Sequence, residues 1–236
     1  MRPRTPIFIV TSTRPRVGKT LVARALTEYF GAQGRPVAAF DVNPDDFKLA
    51  ENLPAYAIAT GIGDTRGEVA LFDRLAAEDR VPKVVDLGHH SFERFFALME
   101  EIDLGTEFRR REIAPMVMYL ADNHERARLG YVALSDRFPD MPMIPLFNEL
   151  LPHIAQCAEA FPPTRLGGDG MVIPALTPVV RSVVDRRQFS FLSYVRKTQD
   201  PTSELYQWMA RLFVTFREVE VRLLLGGTAP QLRWSA

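Results

Sequence analysis

The densest chemistry in the sequence lies in one short run, Thr13-Arg14-Pro15-Arg16-Val17-Gly18-Lys19-Thr20. Its second half completes the pattern G-x-x-x-x-G-K-[ST], and Thr13 stands where that pattern has its first glycine. Such a loop turns backbone N–H groups and a helix N-terminus toward phosphates. Gly18 permits the close approach, Lys19 reaches the terminal phosphates, and the Thr20 hydroxyl is placed for Mg²⁺. Lysine is scarce in this chain. Only four of its 29 cations are lysine (Lys19, Lys48, Lys83, Lys197), and the other 25 are arginine. One of those four stands where a compact ammonium is needed.

Two further groups complete a constellation. Asp41-Val42-Asn43-Pro44 follows one apolar run, and Asp86-Leu87-Gly88 ends another. A carboxylate after four apolar residues at a strand end is what a magnesium shell beside a phosphate loop requires. Asp86 is the principal candidate, with Asp41 beside it.

The elements that must position these groups alternate. Apolar runs at Pro6–Ser12, Pro36–Val42, Lys83–Leu87, Ile113–Leu120, Met141–Phe147 and Met171–Pro174 predict six strands. Helical spacing is expected over Gly18–Gln33, Gly67–Glu78, Phe92–Glu101, His124–Arg137 and near Leu150–Ala160. From Thr177 onward the pattern is mostly helical, ending in an amphipathic helix over about Ser203–Leu225. Strands separated by helices predict an α/β fold: a mainly parallel sheet with helices on both faces, in one domain over 1–236, with 177–236 a helical extension packed on it. Ligands of such sheets bind at the carboxyl ends of the strands, where the singled-out residues fall.

These motifs resemble the deviant Walker A ATPases of the ParA/MinD type, whose loop reads K-G-G-x-G-K-T, with D-x-D-P after the second strand and an Asp after the third. Val84–Phe92 is similar to the D-x-G-x-x-x-F segment of the TraL and StbB branch, found in plasmid transfer and stability. The resemblance covers about residues 6–180 and is strongest in the first 95. It implies a P-loop fold, ATP and Mg²⁺ as cofactors, and a homodimer formed on ATP binding. Thr13, Arg16, Val17, Gly18, Lys19, Thr20 and Leu21 would contact nucleotide, and Thr20, Asp41 and Asp86 would shape the metal shell. Arg14 stands at the signature-lysine position and would reach a partner's phosphates. Asn148 and the loop from Pro174 to Thr177 would flank the base. Lys19, Arg14, Asp41 and Asn43 form the implied catalytic set. The chain departs from the family at Pro15, which has no N–H, and at Arg16, which replaces a glycine. At Asn43 an amide replaces a water-activating carboxylate, which implies slow hydrolysis. The T-x-x-x-V-G-K-T loop is also similar to that of dethiobiotin synthetase, so a biosynthetic enzyme is a second expectation. A non-hydrolysing scaffold is a third.

Composition bounds the rest. The 29 cations and 29 acids cancel, which argues against a generally basic nucleic-acid binder but not against a local patch. Arg181, Arg186, Arg187, Arg196 and Lys197 face only Asp185 in their stretch, a candidate surface for non-specific DNA. A solvated helical face is the ordinary alternative. One cysteine, Cys157, excludes an internal disulfide and fits a reducing cytoplasm. No apolar run reaches membrane-spanning length, and the short N-terminal run reads as a strand, so a cytoplasmic location is expected. His89 and His90 follow the third strand without further metal ligands at suitable spacing.

Overall fold

The computed structural model describes residues 4–44, 46–162, 170–198 and 200–224. Seven strands form one sheet, β1 (Thr5–Thr11), β2 (Ala38–Val42), β3 (Ala57–Ala59), β4 (Lys83–Leu87), β5 (Ile113–Leu120), β6 (Met143–Asn148) and β7 (Met171–Ile173). Their order is β3-β2-β4-β1-β5-β6-β7, and every pairing is parallel. β1 lies in the middle and is buried along its whole length. That explains its unbroken apolar run, since a strand covered on both faces shows no alternation.

Parallel strands joined by right-handed crossovers dictate which face each helix covers. The chain leaves β1 by α1 (Lys19–Ala32) and moves two places to β2, then by α2 (Lys48–Asn52) to β3. Both helices pack on one face, whose core includes Phe8, Val10, Val84 and Met118. It then reverses. α3 (Thr65–Leu75), α4 (Phe92–Glu101), α5 (Leu104–Arg110) and α6 (Glu125–Arg137) cover the other face, over Ile7, Ile9, Val85 and Val117. The connection from β1 therefore lies on one face, while those from its neighbours β4 and β5 lie on the other. The crevice this opens at the carboxyl end of β1 is where such sheets take ligands.

The C-terminal helices α7 (Pro178–Val184), α8 (Phe191–Lys197) and α9 (Glu204–Leu224) return to the α1 face. Trp208, Leu212, Phe216, Val219 and Leu223 of α9 are buried against it. Polar groups lock this layer to α1. Arg24 donates to the carbonyls of Val184 (3.1 Å) and Phe189 (2.8 Å). Glu28 accepts from the backbone N–H of Phe191 (2.9 Å) and Leu192 (3.2 Å) and from the Ser190 hydroxyl. Farther along, Glu220 of α9 receives the Tyr29 hydroxyl (3.2 Å) and Arg35 (2.6 Å).

Six strands, their parallel arrangement and the helices on both faces agree with the pattern expected from sequence. β3, α2 and α5 are additional. Residues 154–160 form a 3-10 helix rather than the α-helix expected over Leu150–Ala160. Leu225, the expected end of the last helix, lies outside the described residues. Glu28 tests the packing of the C-terminal layer. Glu28→Ala would strand three donors and leave Arg24 buried without its neighbouring acid, so chemical denaturation should show a loss of about 3 kcal/mol.

Candidate phosphate and metal site

The loop after β1 enters α1 through Gly18, which adopts a left-handed conformation at φ 105. No side chain caps the first turn of α1. Its orphan N–H groups and the positive end of its dipole thus face the crevice, an arrangement suited to an anion. Gly18 is fixed from below. The buried Asn148, at the end of β6, donates Nδ2 to the Val17 carbonyl (3.0 Å) and accepts from the Leu150 N–H (3.1 Å). A Cβ on Gly18 would meet that Nδ2 at 2.7 Å, so glycine is required for two reasons.

The Lys19 ammonium is folded back on its own loop and donates to the Arg14 carbonyl at 2.6 Å. Burial lowers Lys19 to about 8, opposed by the nearby charge of Asp86. Arg14 pairs within its own chain, Nε donating to Asp122 Oδ2 at 3.3 Å. Thr13, standing for glycine, is buried and anchored. Its hydroxyl donates to the Arg126 carbonyl (3.0 Å) and lies 3.2 Å from Tyr119 Oη. Gly130 of α6 leaves room for it, because a Cβ there would come within 2.4 Å of Thr13 Cγ2. Arg16 is held in the left-handed region at φ 59, a conformation that favours the glycine it replaces. Val17 is buried, and Leu21 packs on the α1-side core.

Under the loop lie two carboxylates. Asp41 and Asp86 are paired in the β2–β4 register and share the α1 face of the sheet. Both are fully buried. Asp41 is satisfied, Oδ1 accepting from Asn43 Nδ2 (2.8 Å) and Oδ2 from the Ala50 N–H (3.0 Å). Asp86 is not, for neither of its oxygens has a hydrogen-bond partner of normal geometry. Burial pushes the Asp86 carboxyl up to about 7, the Asp41 charge adds to this, and Thr20, Lys19 and Asn43 oppose it. Desolvation likewise raises Asp41, against the hydrogen bonds it accepts.

Asn43 has a structural task. The same Nδ2 reaches the Asp86 carbonyl (3.2 Å), tying the ends of β2 and β4. An aspartate could not donate to either acceptor, which is a physical reason for an amide here. Gly88 admits this contact, since a Cβ on it would fall 2.4 Å from Asn43 Oδ1.

The residues present fit a hard divalent cation. Asp86 offers a desolvated carboxylate with unused oxygens, and the Thr20 hydroxyl is beside it. Mg²⁺ takes such oxygen donors and keeps several waters. Both oxygens of Asp41 are already engaged, so Asp41 would act through its charge.

The other residues singled out in the sequence spread around the same end of the sheet or onto the C-terminal layer. The Pro174 carbonyl accepts from Trp208 Nε1 (2.7 Å), and Glu204 takes both the N–H and the hydroxyl of Thr177 (2.7 and 2.8 Å). The loop expected to flank a base is thus held by α9. His89 and His90 pack ring against ring beyond β4, with centroids 3.8 Å apart and planes tilted by 46°. Arg186, Arg187, Arg196 and Lys197 are exposed, and Arg181 pairs with Asp185 at 3.0 Å. Among the described residues no group of three or more His, Cys, Asp and Glu forms a metal cluster, and no helix is long and apolar enough to cross a membrane. Sequence reasoning passed over Asp122, Tyr119 and Gly130. Asp122 carried a usable signal, an acid just beyond the apolar run of β5.

Two outcomes test this geometry. An acid whose folded pKa is raised holds its proton while the unfolded chain loses it. Stability therefore falls as pH rises from about 4 to about 7, by an amount near 4 kcal/mol for this shift. Asp86→Asn removes that cost, so in chelator its melting temperature should exceed wild type at pH 8, with the gain vanishing toward pH 4. Gly130→Ala would gain about 1 kcal/mol from helix propensity alone. The clash with Thr13 should reverse that sign to a net loss of about 1–3 kcal/mol, partly recovered in Thr13→Gly/Gly130→Ala on a denaturation curve.

No protein-family model matches the chain and no curated protein matches it, so the functional reading rests on the residues themselves.

Proposed function

We propose that this chain binds Mg·ATP at the β1–α1 loop and acts as a ParA/MinD-like switch, changing its self-association or partner binding with nucleotide. The observation that carries this reading is Asp86. It is fully buried, unpartnered and set under an uncapped helix N-terminus beside Lys19 and Thr20. Folding gains nothing from such a group, whereas a cation held by Asp86 and Thr20 would satisfy it and would supply positive charge beside the phosphates.

Each residue then has a task. Backbone N–H groups of 16–20 and the dipole of α1 hold the phosphates. Lys19 leaves the Arg14 carbonyl for the terminal phosphates, and its ammonium charge is stabilised there. Thr20 and Asp86 hold the cation, which supplies charge neutralisation across the phosphates. Arg14, at the signature-lysine position, offers a second cation, held by Asp122 while the chain is alone. The motifs shared with the TraL and StbB branch make plasmid partition, transfer or positioning the setting this reading favours. The exposed Arg186, Arg187, Arg196 and Lys197 suit weak, salt-sensitive contact with DNA phosphates.

One observation favours slow turnover, or a scaffold with none. Asn43 is committed to Asp41 and to the β4 backbone, and an amide cannot accept a proton from water.

Calorimetric titration of the whole chain with Mg·ATP tests the reading. Saturable binding should be lost in Lys19→Ala and in the absence of Mg²⁺. Binding that survives Lys19→Ala would remove the phosphate-loop assignment. Phosphate release measured alongside should be slow for the bound complex. Its complete absence would select the scaffold.

A further inference from the structure

A cavity far from the phosphate loop lies at the amino-terminal ends of β5 and β6. It encloses about 430 Å³, a volume ordinary for a small-molecule site. Its floor is apolar: Met99 of α4, Phe108 of α5, Ile113 of β5 and Met141 are buried there. Pro115 of β5 and Pro142 also line it, and neither carries an N–H. The floor is thus poor in backbone donors, where a strand end would normally present them.

The rim is charged, with an imbalance that has a direction. Arg137 is paired with Glu100, and its guanidinium lies 5.5 Å from the centre of the Phe138 ring. Arg4, Arg109 and Arg222 also line the cavity, and among the described residues none of the three pairs with a carboxylate. They come from three separate elements: the residue before β1, the end of α5 and the end of α9. Against them stand only Asp103 and Asp140 on connecting turns. Arginines without a carboxylate partner around an apolar hollow, Arg109 donating to the Thr106 hydroxyl (2.9 Å), suit a ligand with an apolar body and an anionic end. The planar fork of arginine pairs bidentately with a carboxylate.

We infer that this cavity binds an amphipathic carboxylate, with its hydrocarbon part on the Met99–Phe108–Met141 floor and its carboxylate among Arg4, Arg109 and Arg222. The site is independent of the nucleotide reading, since it shares no residue with the phosphate loop.

The test is calorimetric titration of the whole chain with sodium decanoate below its micelle concentration, beside decylammonium and decanol. Saturable one-to-one binding of decanoate is expected, at least tenfold tighter than of either analogue. Arg109→Gln/Arg222→Gln should weaken it about tenfold, roughly what loss of charged hydrogen bonds costs. Gly105 supplies a second variant that keeps the fold. It lines the cavity, and a Cβ there meets nothing closer than Arg109 Nη1 at 3.8 Å. Gly105→Phe should fill the hollow and abolish binding, with an unchanged circular dichroism spectrum and melting temperature. Absence of saturable decanoate binding would overturn the inference. So would equal binding of decylammonium, or indifference to both variants. Self-association that buries this face, seen by sedimentation as a dimer lost in Gly105→Phe, would assign the cavity to a second copy and also overturn it.

Discussion

A carboxylate sealed from water, with no hydrogen bond of normal geometry to either oxygen among the described residues, is the constraint around which the site is arranged. Asp86 can be buried because β4 lies between β2 and β1, with Asp41 opposite it in register and Val10 on its other side. Of the three groups beside it, two are engaged elsewhere and the Thr20 hydroxyl remains. Asn43 donates to Asp41 and to the strand backbone, and Lys19 donates to the Arg14 carbonyl. A sequence selected for stability alone would place an apolar residue at this point. Its presence fits the binding role proposed above rather than a contribution to folding.

The loop above it is unusually poor in glycine, and the surroundings supply what glycine would. Thr13 is pinned to α6 through Arg126 and Tyr119, in a space that Gly130 vacates. Arg16 adopts the left-handed turn at a local cost. Asn148 holds Val17 and closes on Gly18. Flexibility has been exchanged for external bracing. Such a loop is preorganised, and a preorganised cradle spends less of its binding energy on ordering.

The legible part of this protein was whatever short-range pattern dictates. β1, β4 and β5 announce themselves as apolar runs, and Lys19, Asp41 and Asp86 by their place at strand ends. The three-residue β3 was not legible, because Ala57–Ala59 is too short to show a period and forms by pairing with β2. The 3-10 turn at 154–160, in the connection from β6 to β7, has helical spacing, but it turns Ile154 and Cys157 into the core. Long-range pairings were hidden for the same reason. Nothing near Asn148 in the chain signals that its amide serves Val17, 131 residues away. Nor does Pro174 reveal that Trp208 will hold its carbonyl. Motif spacing located these residues, and only tertiary packing assigned their bonds.

The same packing decides where an event at the phosphate loop would be felt. α1 begins at Gly18 and Lys19. Along its length Arg24 and Glu28 hold the backbone of 184–192, and near its end Tyr29 and Arg35 hold Glu220. α9 in turn grips the 174–177 loop at its start. The contacts to α1 are buried and part-buried hydrogen bonds reinforced by packed rings, which shift as units rather than deform, while the Glu204–Thr177 bonds lie at the surface. A displacement of α1 along its axis would therefore carry the α7–α8 layer and its exposed cations with it. It would also reach the 174–177 loop by a second route, through α9. On the proposed nucleotide-switch reading, two paths joining one helix N-terminus to one surface layer would make that layer the place where a partner reads the state of the loop.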